Sequence, residues 1–220
     1  MSIAPLGAGR TISEVISPTW TDLFGPTTES DDEFAALTGA VSALQEAFTR
    51  CDPPPEVAAA LAHRLHEVAG QLRSHETAED DQLCGRLWDR PGRGQVMAPA
   101  LHVDEVTGTT ARGHFTIERF HSGRYALNGG VTPMIFDEIM SRLGNSLGLG
   151  WARTANLSVD YRSPAPLYRK LTATAEFVRQ DGRKRYLAAT ITDDRTLIAE
   201  ATGLWVLTTP GTAPEPQRRN

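Results

Sequence analysis

Two adjacent glycines open a predicted helix in the segment YALNGGVTPMIFDEIM, which runs from Tyr125 to Met140. Gly129 and Gly130 lie at the helix N-terminus, where unpaired backbone N–H groups carry a partial positive charge. Because glycine has no Cβ, an oxygen atom of another molecule can approach this backbone closely. The arrangement suits an oxyanion or a polarised carbonyl. A sharp turn into a helix uses the same two residues, so that second interpretation stays open.

Two carboxylates follow on the same helix. Asp137 falls almost opposite the centre of the apolar stripe, and Glu138 falls on its flank. Periodicity alone allows Asp137 to be a solvated surface acid. It allows Glu138 to be an edge residue whose methylene groups cover apolar surface. The stripe itself consists of Val131, Ile135, Ile139, Leu143 and Leu147.

The other residues that could do chemistry form weaker patterns. His63 and His66 are three residues apart on another predicted helix, but no third ligand has a suitable spacing, so no metal site is predicted. His121, in RFHSGRY, precedes the glycines and is a candidate to line the same pocket, with a plain loop residue as the alternative. Ser122 and Ser141 have no adjacent base in a recognisable elbow, which argues against a serine triad.

The composition is that of a globular protein without a nucleic-acid-binding face. Of the 220 residues, 40% are hydrophobic and 22% charged, enough for one good core and a small second unit. The net charge of −5 argues against a broad basic face. Cys51 and Cys84 have no metal-ligand spacing and are expected to be free thiols. The sequence has no run of about 18 apolar residues and no signal-peptide pattern, so we expect a cytoplasmic protein that does not contact membranes.

Residues 1–96 are predicted to form an arm, a helical hairpin and a linker. The arm, residues 1–29, is rich in Ser, Thr, Pro and Gly, with Trp20 and Phe24 as candidate anchors. Two amphipathic helices follow, separated by CDPPPE, because three consecutive prolines cannot continue a helix. An αα-hairpin of this size needs a further surface to pack on. The polar residues 74–96 are interpreted as a linker. The two apolar stripes are Phe34, Leu37, Val41, Leu44 and Phe48, and then Val57, Leu61, Leu65, Val68 and Leu72.

Residues 97–209 alternate between apolar and polar side chains, as strands do. PALHVDEVTGTTARGHFTI predicts two short strands around Thr107 and Gly108, before the helix. TANLSVDY, LTATAEFV, RYLAATIT and LIAEATGLWVL predict four more after it, and Asp181-Gly182 is a strong hairpin signal. Strands, one long helix and then a meander predict an α+β fold with one antiparallel sheet and a central helix. The Pro-rich residues 210–220 are expected to be a disordered tail.

The segment GGVTPMIFD resembles the hotdog-fold acyl-CoA thioesterases, particularly the phenylacetate-pathway type. That family has His-Gly-Gly, six residues, and then Asp or Glu. The later YRSP, the GRK after a hairpin and the closing AEATGLWV are similar to the family in order and spacing. The resemblance covers about residues 97–208. It implies a hotdog fold, in which a curved antiparallel sheet wraps a long helix, assembled as a homodimer or a dimer of dimers.

The resemblance also implies an activity, the hydrolysis of an acyl-CoA thioester to the free acid and coenzyme A, with no cofactor. The backbone N–H of Gly130 would polarise the thioester carbonyl. Asp137 would act as general base on water or as a nucleophile, and Thr154 would help to place the water. Asn128 stands where the family has His. It can cap the helix and form hydrogen bonds, but it cannot become cationic.

Substrate-binding residues are implied in the same way. Gly129 and His121 would line the substrate pocket. Arg183, Lys184 and Arg185 are candidates to meet the nucleotide phosphates of coenzyme A, with a solvated basic hairpin as the alternative.

Two functions therefore stand against each other. The first is an acyl-CoA thioesterase that uses Asp137 and not its neighbour Glu138. The second is a non-catalytic hotdog protein that binds acyl-CoA or another small ligand, in which Asn128 marks lost or altered chemistry. A hotdog hydratase is a weaker third alternative, because the His of its usual Asp/His pair is not evident after the helix.

Overall fold

The structure is a computed structural model that describes residues 30–146 and 150–208. The predicted arm with Trp20 and Phe24, the predicted tail, and Leu147 of the helix stripe lie outside the described residues. The helices are α1 (Ser30–Thr49), α2 (Pro55–Arg73) and α3 (Thr132–Gly144). The strands are β1 (His102–Val106), β2 (Thr110–Thr116), β3 (Ala152–Tyr161), β4 (Lys170–Asp181), β5 (Lys184–Asp193) and β6 (Thr196–Leu207).

The six strands form one antiparallel sheet in the order β1-β2-β4-β5-β6-β3. The helix α3 packs against one face of this sheet and contacts every strand. The connection between β2 and β4 contains α3 and β3, so β3 crosses over to the far edge of the sheet. These elements confirm the predicted α+β hotdog architecture.

Alternation along the strands builds the core, as the sequence predicted. In the first half of β4 and in β5 up to Ile191, every second residue is buried on the side of the sheet that faces α3. The helix contributes an apolar stripe of the same kind, because residues three and four apart share a face. The buried positions on these three elements include Leu171, Ala173, Ala175, Leu187, Ala189, Ile191, Ile135, Ile139 and Leu143.

The two N-terminal helices are present, but they do not pack as a hairpin. Among the described residues, α1 contacts the loops around Pro91–Gly94 and Arg119–His121, whereas α2 contacts no other helix or strand. None of the α2 residues is buried. The expected hairpin packing was wrong because the proline run between the helices holds them apart: Pro54 is extended, with φ −55° and ψ 150°. No helix within the described ranges is long and apolar enough to cross a membrane.

The second part of the segment predicted as a linker packs on the sheet domain. Leu87 is 2% exposed, and Gly92 and Gly94 are buried in a short 3-10 helix. The backbone N–H of Gly92 donates to the Leu101 carbonyl at 3.3 Å. This anchoring fixes the course of the residues that lead into β1.

Candidate active site

Asp137 and Thr154 meet at the edge of the sheet. The Thr154 hydroxyl donates to Asp137 Oδ1 at 2.6 Å. This contact is set up at the end of α3, where the Asn145 side chain accepts from the Ala152 N–H at 2.7 Å and donates to the Ala152 carbonyl at 3.2 Å. The two bonds fix the start of β3 against the helix, so Thr154, two residues further on, faces the half-buried Asp137. The structure thus brings these two predicted site residues together.

The glycine turn is exposed, but one of its donors is occupied. Asn128 Oδ1 accepts from the Gly130 N–H at 2.8 Å. The backbone N–H of Asn128 in turn donates to the His121 carbonyl at 2.9 Å. Both Gly129 and Gly130 are open to solvent. The predicted carbonyl-polarising group therefore carries an internal partner, which a substrate oxygen would have to replace.

Tyr161, which sequence reasoning did not place in the site, holds the turn from the other end of β3. Its hydroxyl donates to the Gly129 carbonyl. The side chain is 53% exposed, so its position is not that of a core residue. One edge strand thus contacts both the glycine turn, through Tyr161, and the carboxylate, through Thr154. The only sequence signal was the alternation of β3, which placed Tyr161 on a face without indicating its partner.

Glu138 is committed to an ion-pair network. Its two oxygens bind Arg142 Nε and an Arg93 terminal nitrogen, each at 2.8 Å. Arg142 is 5% exposed, and burial lowers the pKa of its guanidinium, while the carboxylate of Glu138 acts to raise it. Both oxygens of the Glu138 carboxylate are therefore occupied by guanidinium groups. That Asp137, and not Glu138, is the reactive acid stays a prediction.

A cavity of about 370 Å³ lies beside Asp137. Its lining includes Met134 and Leu157 from α3 and β3, and Met97 and Pro99 from the segment that leads into β1. Met97 is 71% exposed, so it lies at the mouth and not in the core. Sequence reasoning missed the last two residues because their segment is irregular and has no periodicity. The arrangement offers an apolar chain a place next to the carboxylate.

His121 lies apart from Asp137 and the glycines. It lines a different cavity of about 510 Å³, between α1 and the β1–β2 edge of the sheet, together with Glu118 and Lys170. Both ring nitrogens of His121 are buried without a hydrogen-bond partner among the described residues. Burial lowers the pKa of His121, and the nearby Glu46 carboxylate only partly offsets this. The structure brings only the backbone carbonyl of His121 to the glycine turn.

Glu46 connects α1 to the loop before the glycines. Its carboxylate accepts from the Phe120 N–H at 3.1 Å and from the Tyr168 hydroxyl at 2.8 Å. Burial acts to raise the pKa of Glu46, but these hydrogen bonds outweigh it and the pKa lies below its ordinary value. The α1 helix is therefore part of the support of the site, although its own sequence carries no catalytic pattern.

A buried neutral imidazole makes stability depend on pH. Because the folded-state pKa of His121 is lowered, the unfolded chain takes up a proton first as pH falls through about 6.5, and folded stability declines. When the pH is lowered from about 7.5 to about 5.5, we expect the melting temperature of His121→Gln to fall less than that of the wild type. The two decreases should differ by roughly a degree or more. Thermal unfolding at both pH values measures this, with the exposed His63→Gln as control. Equal losses in all three proteins would contradict the burial of a neutral His121.

The basic hairpin divides into exposed and buried residues. Arg183 donates to the Leu207 carbonyl at 2.8 and 3.1 Å and is exposed, as is Lys184. Arg185 is fully buried and donates to the carbonyls of Gly144 at 2.5 Å and Gly150 at 3.1 Å. Burial lowers its pKa. The interpretation of Arg185 as a surface phosphate contact was wrong, because its side chain satisfies the carboxyl end of α3.

Comparison with known proteins shows a similarity to one superfamily. Residues 126–199, which include the glycine turn, α3 and most of the following strands, match the family model of the Thioesterase superfamily. Residues 126–199, about a third of the chain, are thus similar to this superfamily. A solved crystal structure of a thioesterase superfamily protein matches 79% of this chain and 90% of its own, with a TM-score of 0.67 and 27% identity. This coverage exceeds residues 97–208, about half of the chain, so the likeness extends into the N-terminal region.

Curated relatives match over a shorter range. The chain is 33% identical over 86 residues to the acyl-coenzyme A thioesterase THEM4 of Rattus norvegicus. It is 31% identical over 103 residues to the same-named protein of Bos taurus. These ranges cover 38% and 43% of this chain, but only 36% and 42% of the relatives. The chain thus spans well under half the length of the curated relatives that it matches.

Proposed function

We propose that this protein hydrolyses an acyl-CoA thioester to the free acid and coenzyme A. The observation that carries the proposal is the Thr154–Asp137 hydrogen bond of 2.6 Å beside an apolar cavity, within a thioesterase superfamily domain. A carboxylate with one oxygen held by a hydroxyl has its other oxygen available for water. The named activity of the THEM4 relatives supports the same reaction.

In the proposed reaction Asp137 takes a proton from water as the water oxygen attacks the thioester carbon. The negative charge that develops on the carbonyl oxygen is stabilised by the backbone N–H of Gly130 and the N-terminal end of α3. Collapse of this intermediate breaks the C–S bond, and the leaving thiolate takes up the proton. Direct attack by the Asp137 carboxylate, with a transient anhydride, is the alternative. An acyl adduct on Asp137 in rapid-quench mass spectrometry would identify it.

The complete site is proposed to need two copies of the chain. Gly130 and Asp137 are seven residues apart, which corresponds to about 10 Å along a helix. Attacking water and polarised carbonyl must lie about 3 Å apart. The edge strand β3 is 10 residues long and pairs only with β6 among the described strands. Pairing of two β3 strands would place Asp137 of one copy near the glycine turn of the other.

The apolar cavity beside Asp137 is proposed to receive the acyl group. Its lining residues Met134, Leu157 and Met97 are apolar, and its volume of about 370 Å³ suits an acyl group of moderate size. The exposed Lys184 and Arg183, at the same hairpin, are proposed to bind the nucleotide phosphates of coenzyme A. The ammonium group of lysine and the planar guanidinium group of arginine both bind phosphate.

One observation favours a second candidate function. Because Asn128 Oδ1 occupies the Gly130 N–H, a protein that binds acyl-CoA without hydrolysing it is the alternative. An assay of thiol release over short, long and aryl acyl-CoAs, paired with equilibrium binding of the same compounds, separates the two. Thiol release from at least one compound supports the thioesterase. Saturable binding without thiol release from any of them supports the alternative.

The Thr154 hydroxyl gives a direct test of the carboxylate site. We expect Thr154→Val to lower kcat/KM for thiol release about tenfold or more, because the hydroxyl is replaced by a methyl group of similar size and Asp137 loses its orienting bond. Thr154→Ser, which keeps the donor, should stay within about threefold of the wild type. Initial rates at several substrate concentrations measure both variants. A valine variant as active as the serine variant would show that the bond has no catalytic role.

A further inference from the structure

The helix α2 presents an apolar face that no described part of the chain covers. Leu61, Leu65, Val68 and Leu72 are each between 42% and 47% exposed, and none of the α2 residues is buried. Most helical stability in proteins comes from packing of the apolar face against another surface. A helix of this length therefore indicates a partner surface.

The helix α1 presents a second face of the same kind. While one side of α1 packs on the sheet domain, Leu37, Leu44 and Phe48 point outward, and Phe48 is 73% exposed. With the half-buried Val41 they follow a spacing of four, three and four residues. Leu61, Leu65, Val68 and Leu72 on α2 follow the identical spacing. This is the spacing of coiled-coil seams, and the two seams have equal length.

The two seams cannot meet within the conformation of one chain. The helices make no contact with each other, and the proline run between them is extended at Pro54. Proline fixes φ and removes a backbone donor, so this connection has little freedom to fold back. Two matching seams held apart in one copy can be buried together only between copies.

We propose that two copies of this chain exchange these helices, so that α2 of each copy packs antiparallel on α1 of the other. The antiparallel direction follows from the charges. The first turn of α1 holds Asp31, Glu33 and Asp32, the last of which also pairs with Arg90 at 2.6 Å. The last turn of α2 holds Arg73. Antiparallel packing brings these opposite charges together and also opposes the helix dipoles. The inference does not depend on the proposed reaction.

The areas agree with an exchange and not with contact between the α2 helices alone. An exchange would bury both seams of both copies, about twice the apolar surface that contact between the α2 helices alone would bury. Stable interfaces bury at least about 1,200 Å² in total, which favours the larger of the two contacts. The charged residues of α2, Glu56, Glu67, Arg64 and Arg73, balance each other. Such a helix lacks the cationic face that favours a membrane surface.

Cysteine crosslinking between separately produced copies tests the exchange. In full-length protein with Cys51→Ser and Cys84→Ser, one batch carries Leu44→Cys and the other Leu65→Cys. After mixing and mild oxidation, we expect a covalent heterodimer in the mixture at several times the level of covalent homodimer in either batch alone. Absence of this heterodimer, or equal homodimer from the Leu65→Cys batch alone, would overturn the proposal.

Sedimentation velocity tests the seam independently. Leu61→Glu with Leu65→Glu should weaken the helix-mediated association at least tenfold relative to the wild type, because charges enter the seam. The association that remains in this variant measures the β3 pairing proposed above. The control, Ala60→Glu with His66→Glu, adds the same charges to the opposite face of α2 and should leave association unchanged. Equal association of both double variants would refute the exchange. The exchange would also be refuted if the wild type and the control bound phosphatidylglycerol vesicles, and the seam variant lost this binding but kept its association.

Discussion

Asp137→Asn should reduce kcat/KM for thiol release by about 10²–10⁴-fold, the usual contribution of a general base. This corresponds to about 3–5 kcal/mol of lost transition-state stabilisation. The amide has nearly the same shape as the carboxylate, and its oxygen can still accept the hydrogen bond from Thr154. It cannot take a proton from water, and it is a poor nucleophile. The variant therefore separates the chemistry at this position from its geometry.

This prediction has two controls, a substitution of an exposed acid and a measurement of the thermal stability of Asp137→Asn. Asp52→Asn changes an exposed acid between α1 and α2 and should leave the rate within about twofold. The melting temperature of Asp137→Asn should stay within about 2 °C of the wild type, because the residue is half-buried and forms no ion pair among the described contacts. A variant that keeps more than a tenth of the wild-type rate would place the reactive acid elsewhere.

The fold was predictable because its elements repeat simple periods. The strand β5 alternates over most of its length and β4 over its first half, and α3 carries one apolar stripe, so each element has a single face that can be buried. Arg185 also follows the alternation of β5, although it is charged. It shares its face of β5 with Leu187, Ala189 and Ile191, so the alternation already placed it inward. Its basic neighbours favoured a surface interpretation, and the carbonyls that bind it come from a distant helix end.

The site was less predictable because its contacts link distant segments. The family resemblance implied roles for Asp137 and Thr154, but neither it nor periodicity specified the bond between them. The pairing of Arg93 with Glu138 joins an irregular segment to α3, and no local pattern records such a contact. Asn128 illustrates a different limit. Its residue type allowed a helix cap, but its Oδ1 accepts instead from the N–H of Gly130 in the turn before the helix, which begins at Thr132.

Trp205→Ala should lower the free energy of unfolding by about 3–5 kcal/mol, as truncation of a buried aromatic side chain usually does. Trp205, on β6, is fully buried on the side of the sheet that faces α3, and its indole N–H donates to Ser141 Oγ on that helix at 3.0 Å. A Cβ at Gly203 would come within 2.2 Å of the indole ring, so the strand itself is shaped around this side chain. The ring also lies against Gly144 at the end of α3, with an ideal Cβ there 3.7 Å from Trp205 Cγ.

Urea unfolding at a fixed protein concentration measures this loss, because association adds to the apparent stability. Trp205→Phe is the matched control. It fills most of the same space but lacks the donor to Ser141, so it should lose only about 1–2 kcal/mol. The alanine variant leaves a cavity under the helix that carries Asp137, so its activity should fall at temperatures where the wild type is still folded. A loss below about 1 kcal/mol for the alanine variant would mean that α3 does not pack on the Trp205 side chain.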